Sequence, residues 1–278
     1  MEYGSCHHGI IEIKKGAHET LGEMIRTLAH EITHETLSNQ TTLGNVVMLL
    51  QLISSHPQTS KDNARQLEQI YKHLHGNCIK VHEFSAVCAE LNITKMHYPE
   101  TFDELVREYS NTQPYKNACD FRNRKWLFDY PFEFISSLIL DIAKISMNIQ
   151  LSKLDILDKK LDKMLINQRL VDVINPNYRF KILLGILKDV LHTYGITQKT
   201  KFDSVDAEDK CIKSIIDSIL QRAGTSYSNS EIFDLEVWYN TTLKDKFRLL
   251  EFNEYCERYK INDIVDLARV IDCTTFFI

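Results

Sequence analysis

The sequence predicts a mainly α-helical protein, organised as two helix-rich lobes. Its 278 residues include only nine Gly and five Pro, which are few of the turn residues that a many-stranded β fold requires. Hydrophobic residues make up 44% of the chain and charged residues 26%, so a sizeable globular core is expected. Apolar residues also recur at helical spacing through most of the chain.

The N-terminal part opens with Ile10 to Lys15, whose weak alternation of apolar and polar residues indicates at most a short strand. Helical spacing then begins at Thr20. Four helices are expected, over Thr20 to Leu37, Leu43 to Ser55, about Ser60 to His75 and about Asn77 to Leu91. Gly76 is a natural end for the third.

The helical pattern weakens between Lys95 and Pro131, although Phe102 to Tyr109 could form a short helix. This stretch is the expected boundary between a domain at residues 1–120 and a second at 131–278. Amphipathic segments return at about 132–150, 152–172, 179–194, 208–222, 230–240 and 243–259. Gly195 is expected to end a helix, and Ser228 with Glu231 to open one as a capping box.

The composition argues against several classes of partner. A net charge of −5 argues against broad electrostatic binding of nucleic acid or of an anionic membrane. The apolar stretch from Phe132 to Leu151 is interrupted by charged residues, so no membrane span is expected. Seven scattered Cys without a C-x-x-C pair indicate free thiols, and the N-terminus has no apolar core of a secretory signal. We therefore expect a soluble, cytoplasmic protein.

Histidines are concentrated where the chemistry is expected. Ten of the eleven lie before position 98, and two of these form the motif His30-Glu31-Ile32-Thr33-His34, which is H-E-x-x-H. Residues four apart on a helix lie ~40° apart around its axis, so both imidazoles can reach one ion. Glu31 cannot easily share that ion, but it can take a proton from an attacking water as the general base.

The helix that carries this motif is expected to bury its apolar stripe. That stripe consists of Leu21, Ile25, Leu28 and Ile32, whereas Glu23, Thr27, His30 and His34 lie on roughly the opposite side. The two histidines are thus expected on a face that packing alone would not bury.

A hydrolytic zinc site needs a third protein ligand and one open position. The expected fourth helix contains Val81-His82-Glu83-Phe84, in which Glu83 lies beside an apolar stripe. Glu83 is therefore assigned as the third ligand. His82 is the alternative, because it lies only ~100° away around the same helix.

These residues resemble the zincin metallopeptidases. H-E-I-T-H followed at a distance by a helical Glu is similar to the gluzincin pattern of thermolysin-like enzymes, and the longer segments HEITHETL, TTLG and VHEFSA resemble uncharacterised bacterial HExxH proteins. The resemblance covers roughly residues 18–100. It implies a zincin-like helical core in which His30, His34 and Glu83 hold Zn²⁺ and Glu31 is the base. About fifty residues separate His34 from Glu83, more than in the thermolysin-like pattern, and an edge strand for the substrate is not clear.

The sequence thus predicts a zinc metallopeptidase that cleaves a protein or peptide inside the cell, with the C-terminal lobe recognising the substrate or a regulator. A metal hydrolase of small molecules remains open, because the ligands alone do not identify the bond that is cleaved. The alternative is a non-catalytic helical interaction or sensor protein with a structural metal or none. His97, Tyr98 and Tyr71 are the candidates for stabilising an oxyanion.

Overall fold

The mainly α-helical fold is confirmed by a computed structural model. It describes residues 20–56, 59–112, 115–118, 121, 123–157, 161, 174–224, 227 and 233–259, with the backbone of two strands at 4–7 and 10–13. The helices are α1 (Leu21–Asn39), α2 (Thr42–Ser55), α3 (Lys61–Gly76), α4 (Ile79–His97), α5 (Phe102–Asn111), α6 (Tyr115–Ala118), α7 (Phe132–Met147), α8 (Pro176–Thr193), α9 (Val205–Ala223), α10 (Leu235–Trp238), α11 (Asp245–Phe247) and α12 (Phe252–Tyr259). Short 3₁₀ turns cover Pro99–Thr101, Lys125–Asp129 and Leu151–Lys153, and a π-helical turn covers Tyr239–Lys244.

The N-terminal strand belongs to a hairpin. Strand β2 (Ile10–Ile13) pairs antiparallel with β1 (Gly4–His7), in a register that joins Gly4 to Ile13 and His7 to Ile10. The strand at Ile10 is confirmed, but the expectation of at most one strand was wrong, because a strand can form ladder hydrogen bonds only with a partner. Both strands contact α1.

The most extensive helix pair is α1 with α4. The two helices run antiparallel, because Gly22 lies by Tyr98 whereas His34 lies by Glu83. Thr20 and Glu23 form a capping box at the start of α1, with backbone-to-side-chain distances of 3.2 Å in both directions. At that end Gly22 lies against the ring of Tyr98, where a Cβ would come within 2.3 Å of the ring. Glycine therefore allows the two helices to approach closely.

The expected orientation of α1 was wrong. Leu21, Ile25, Leu28 and Ile32 are 66%, 40%, 37% and 44% exposed, whereas His30 is 9% and Glu31 7% exposed. The α4 surface that faces α1 carries Glu83, Glu90 and His82, and these side chains contact the histidines on the polar face of α1. Hydrogen bonds and charge pairs offset the cost of burying these groups.

Helix α7 lies at the centre of the protein and packs against α4, α8 and α9. The segment Phe132–Lys153 is long and apolar enough to span a membrane by composition, but 56% of its most apolar window is buried inside the fold. That burial is typical of the core helix of a soluble protein. The division into residues 1–120 and 131–278 stays a prediction, and helices from both ranges share one apolar core.

A buried arginine joins α8 to the carboxyl end of α7. Arg179 is 2% exposed, and its guanidinium donates to the carbonyls of Ser146 at 3.1 Å and Ile145 at 2.8 Å. These carbonyls belong to the last turn of α7. The last four carbonyls of a helix have no N–H partner within the helix itself. Arg179 thus satisfies the end of the central helix.

The remaining expectations about helix ends have mixed outcomes. Gly195 is confirmed as a helix stop, because it follows α8 with a φ of +66°. The expected helix over 243–259 was wrong as one unit, since Arg248 adopts a left-handed conformation with a φ of 51° between α11 and α12. Ser228 and Glu231 were expected to open the helix that holds Trp238, which was wrong, because α10 starts at Leu235 and the side chain of Asp234 accepts from the backbone N–H of Val237 as its N-cap. Ser228 and Glu231 themselves, and most of the expected segment 152–172, lie outside the described residues.

Candidate metal centre

The two histidines of the motif point toward one another from successive turns of α1. Nε2 of His30 lies 3.0 Å from Nε2 of His34, and the ring centroids are 4.8 Å apart. The i, i+4 spacing produces this convergence, because the two side chains share one helix face. Their Nε2 atoms are thereby placed where one ion could contact both.

Glu83 reaches the same point from α4. Its carboxylate oxygen lies 3.9 Å from Nε2 of His34, and the ligand atoms of His30, His34 and Glu83 all lie within 4.8 Å of one another. In the part of the chain that the structure describes, this is the one group of three or more such side chains that could hold a metal ion. The predicted ligands are thus brought together by the antiparallel packing of α1 and α4.

His82 approaches His34 from the other side of the ring. Nδ1 of His82 lies 3.3 Å from Nδ1 of His34, and the two rings stack with centroids 5.5 Å apart. Nε2 of His34 faces His30 and Glu83, so His82 contacts the nitrogen that points away from them. This arrangement places His82 behind a ligand of the group and favours Glu83 over His82 as the third ligand.

Glu90 plays a comparable part behind His30. Its carboxylate lies 3.3 Å from Nδ1 of His30, which leaves Nε2 directed at His34. Glu90 also helps to raise the pKa of Tyr109 on α5, after burial as the largest cause, through its charge and hydrogen bonding. A carboxylate bonded to the far nitrogen of a histidine fixes the ring orientation and its tautomer, as in many metal sites.

Burial and neighbouring charges shift the pKa values of the group in opposite directions. Burial lowers the pKa of His30, but the hydrogen bond and charge of Glu90, with Glu83 and Glu31, outweigh it and raise the pKa above 6.5. Burial, followed by the charges of His30, His82 and His75, holds the pKa of His34 well below 6.5. Burial and His75 lower the pKa of His82 to about 3. His34 and His82 are therefore neutral near pH 7.

Glu31 is buried beside the group on α1. Its charge raises the pKa of both His30 and Glu83, although burial makes the largest contribution to the raised pKa of Glu83. Glu31 is one residue from His30 and does not belong to the group whose ligand atoms converge.

The candidates for stabilising an oxyanion lie elsewhere. Tyr98 packs against Gly22, which is eight residues from His30 and thus ~12 Å along α1. His97 is exposed at the end of α4. Tyr71 stacks on His75 with centroids 5.3 Å apart. The structure therefore brings none of the three into the group.

Two aromatic residues near His30 were not predicted from the sequence. The ring of Tyr115 meets that of His30 edge to face at a centroid distance of 6.3 Å, and Tyr109 packs on Tyr115 at 4.8 Å. Both lie in the stretch that was interpreted as a domain boundary because its periodicity is weak. Glu90 could have been found, because it lies seven residues, or two turns, beyond Glu83 and so on the same face of α4.

No protein-family model, curated protein or solved structure matches this chain. The resemblance to zincins therefore stays a prediction from the motif residues.

Proposed function

We propose that this protein is a zinc-dependent metallohydrolase that cleaves peptide bonds in a protein substrate inside the cell. One observation carries the proposal. The two histidines of the H-E-x-x-H motif and the carboxylate of Glu83 converge within 4.8 Å from two different helices.

The chemistry of these side chains fits zinc. Two imidazoles and one carboxylate are a common protein ligand set of hydrolytic zinc sites, which keep a further position open. The carboxylate behind His30 and the imidazole behind His34 hold both rings in the orientation that directs Nε2 inward. Zinc supplies Lewis acidity, which polarises a substrate carbonyl and lowers the pKa of water.

Glu31 is the proposed general base. Its carboxylate accepts a proton from the attacking water and returns it to the nitrogen of the leaving amine. Its position next to His30 in the sequence, and a charge that raises the pKa of both His30 and Glu83, support this role.

A peptide substrate is favoured by the N-terminal hairpin. Within the described residues, β2 pairs with β1 alone, and the hairpin contacts the helix that carries the motif. The second edge of such a strand can bind an extended peptide through main-chain hydrogen bonds.

Burial of the group supports a second candidate, a non-catalytic protein with a structural metal. The side chains of His34 and Glu83 are each 18% exposed and those of His30 and Glu90 11%. Structural sites are closed, whereas catalytic sites leave a position for water and substrate. In this case Glu31 contributes to stability alone.

The substitution Glu31→Gln distinguishes the two candidates. A peptidase is expected to lose at least ~10²-fold in the rate of cleaving a diverse peptide library while retaining its zinc, because the amide cannot accept a proton. Glu35→Gln, the same change one turn further along α1, is the matched control. Unchanged cleavage by Glu31→Gln would exclude the proposed mechanism.

Metal removal gives an independent readout. The structural candidate is supported by two results together: chelation unfolds the protein, and the wild-type zinc form cleaves no peptide of the library. If chelation abolishes cleavage and readdition of Zn²⁺ restores it, the peptidase is supported.

A further inference from the structure

A second candidate binding site lies between α1, α4 and α7, apart from the metal centre. It is a cavity of about 180 Å³. Its floor consists of the buried residues Thr33, Ser85, Cys88 and Ile139. Around its mouth lie Ala89, Leu140 and the exposed Ser137. The cavity therefore opens to solvent on one side and ends in a buried floor.

The cavity and the metal group lie on different sides of α4. Ser85 is two residues from Glu83, which places the two side chains ~200° apart around the helix. Neither His30, His34 nor Glu83 lines the cavity. The cavity is thus separate from the proposed catalytic site, and the inference below does not depend on the proposed function.

One polar atom in the floor lacks a partner. Ser85 is 3% exposed, and among the described residues its Oγ finds no hydrogen-bond partner. Buried hydroxyls nearly always form a hydrogen bond, because leaving one unpaired costs free energy. A ligand atom in the cavity would satisfy this hydroxyl.

The other polar atoms of the floor are already engaged. The hydroxyl of Thr33 donates to the carbonyl of Ala29 at 2.9 Å. Asn92, which lies outside the lining, donates its amide to Sγ of Cys88 at 3.7 Å and to Oγ of Ser136, a further lining residue, at 3.0 Å. Ser85 therefore offers the free hydroxyl of a floor that is otherwise apolar or internally bonded.

We propose that this cavity binds a small, mainly apolar molecule that carries one hydroxyl group. The apolar walls bury its hydrocarbon part, and its hydroxyl pairs with Ser85, which can both donate and accept. The volume suits a six-membered ring, since an apolar cavity of about 150 Å³ is enough to bind benzene. Most small-molecule sites combine apolar walls with a few placed polar groups in the same way.

Phenol and benzene form a matched pair of probes for this site. Calorimetric titration of the full-length protein is expected to show phenol binding with a Kd of about 1 mM. Ser85→Ala is expected to weaken phenol binding about fivefold, the effect of one hydrogen bond, and to leave benzene binding unchanged. Ser54→Ala, a partly buried serine of α2 outside the cavity, serves as the control.

Two further variants test the location. Ala89→Leu fills the mouth, and Ser137→Leu narrows it at an exposed position where misfolding is not expected; each should reduce phenol binding at least tenfold. Circular dichroism confirms that the variants remain folded. Absence of phenol binding to the wild-type protein, or equal phenol affinity in Ser137→Leu or in Ser85→Ala, would overturn the proposal.

Discussion

Nδ1 of His30 lies 3.3 Å from the carboxylate of Glu90, two turns along α4 from Glu83. One face of α4 thus supplies both a carboxylate that converges with His30 and His34 and a carboxylate that orients His30 from behind. This relationship requires α1 to turn its histidines inward against α4, which it does at the expense of exposing its apolar stripe.

The three converging side chains should be required for metal binding. We expect His34→Ala and Glu83→Ala to lose the metal, because each removes one of three protein ligands. His82→Gln should retain about one metal per chain with up to ~10-fold weaker affinity, since it contacts His34 from behind. Elemental mass spectrometry of the purified proteins measures this, with the exposed His97→Ala as control. Metal loss in His82→Gln but not in Glu83→Ala would identify His82, and not Glu83, as the third ligand.

Glu90 should set the affinity of the site without being a ligand. Glu90→Gln is expected to weaken metal binding by about 10–100-fold, because the amide orients His30 less strongly and does not increase its basicity. Tyr109→Phe should have a smaller effect in the same direction. Competition with a chromogenic chelator provides the affinities. The exposed Glu104→Gln should bind metal as the wild type does, and an equal loss there would contradict a specific role for Glu90.

The apolar stripe of α1 should contribute little to stability. We expect Ile25→Ser to lower the free energy of unfolding by less than ~1 kcal/mol, because Ile25 is 40% exposed. Leu37→Ala on the same helix should cost about 2–5 kcal/mol, since Leu37 is completely buried. Urea unfolding measures both. Similar losses of unfolding free energy in the two variants would mean that the apolar stripe of α1 is buried in the folded protein.

Asp141 on α7 should make stability depend on pH. Burial is the main cause that raises its pKa from 3.8 to about 6, with Asp209 adding to this and Lys144 opposing it. The folded protein therefore holds this proton more tightly than the unfolded chain, so stability present below about pH 4 is lost as the pH rises through about 6.

Replacing the Asp141 carboxyl with an amide removes the free-energy cost of ionising this buried group. At about pH 7.5 we expect Asp141→Asn to be ~1–2 kcal/mol more stable than the wild type in urea unfolding, a difference that shrinks toward about pH 4.5. Asp217→Asn, at an exposed position on α9, should show no such pH-dependent difference. A destabilised Asp141→Asn at high pH would show that the charged form makes a favourable interaction.

Local sequence signals predicted most of the helices in the part of the chain that the structure describes. Gly195 and the i, i+4 histidines are determined by backbone sterics and helical spacing, which depend on a few neighbouring residues. The break at Arg248 was not predicted, because no Gly or Pro marks it. The prediction that α1 buries its apolar stripe was also wrong. Hydrophobic periodicity identifies a helix, but it assumes that the apolar side is the buried one.

The sequence by itself determined that His30 and His34 share a helix face and that Glu83 and Glu90 share another, because these relations follow from 3.6 residues per turn. Only the tertiary structure decided that the two faces meet, that His82 and Glu90 lie behind the rings, and that Tyr115 packs beside them. The physical reason is that burying a cluster of imidazoles and carboxylates is favourable only when all its members are present. That condition is met by the packing of α1 on α4 and cannot be evaluated for either helix alone.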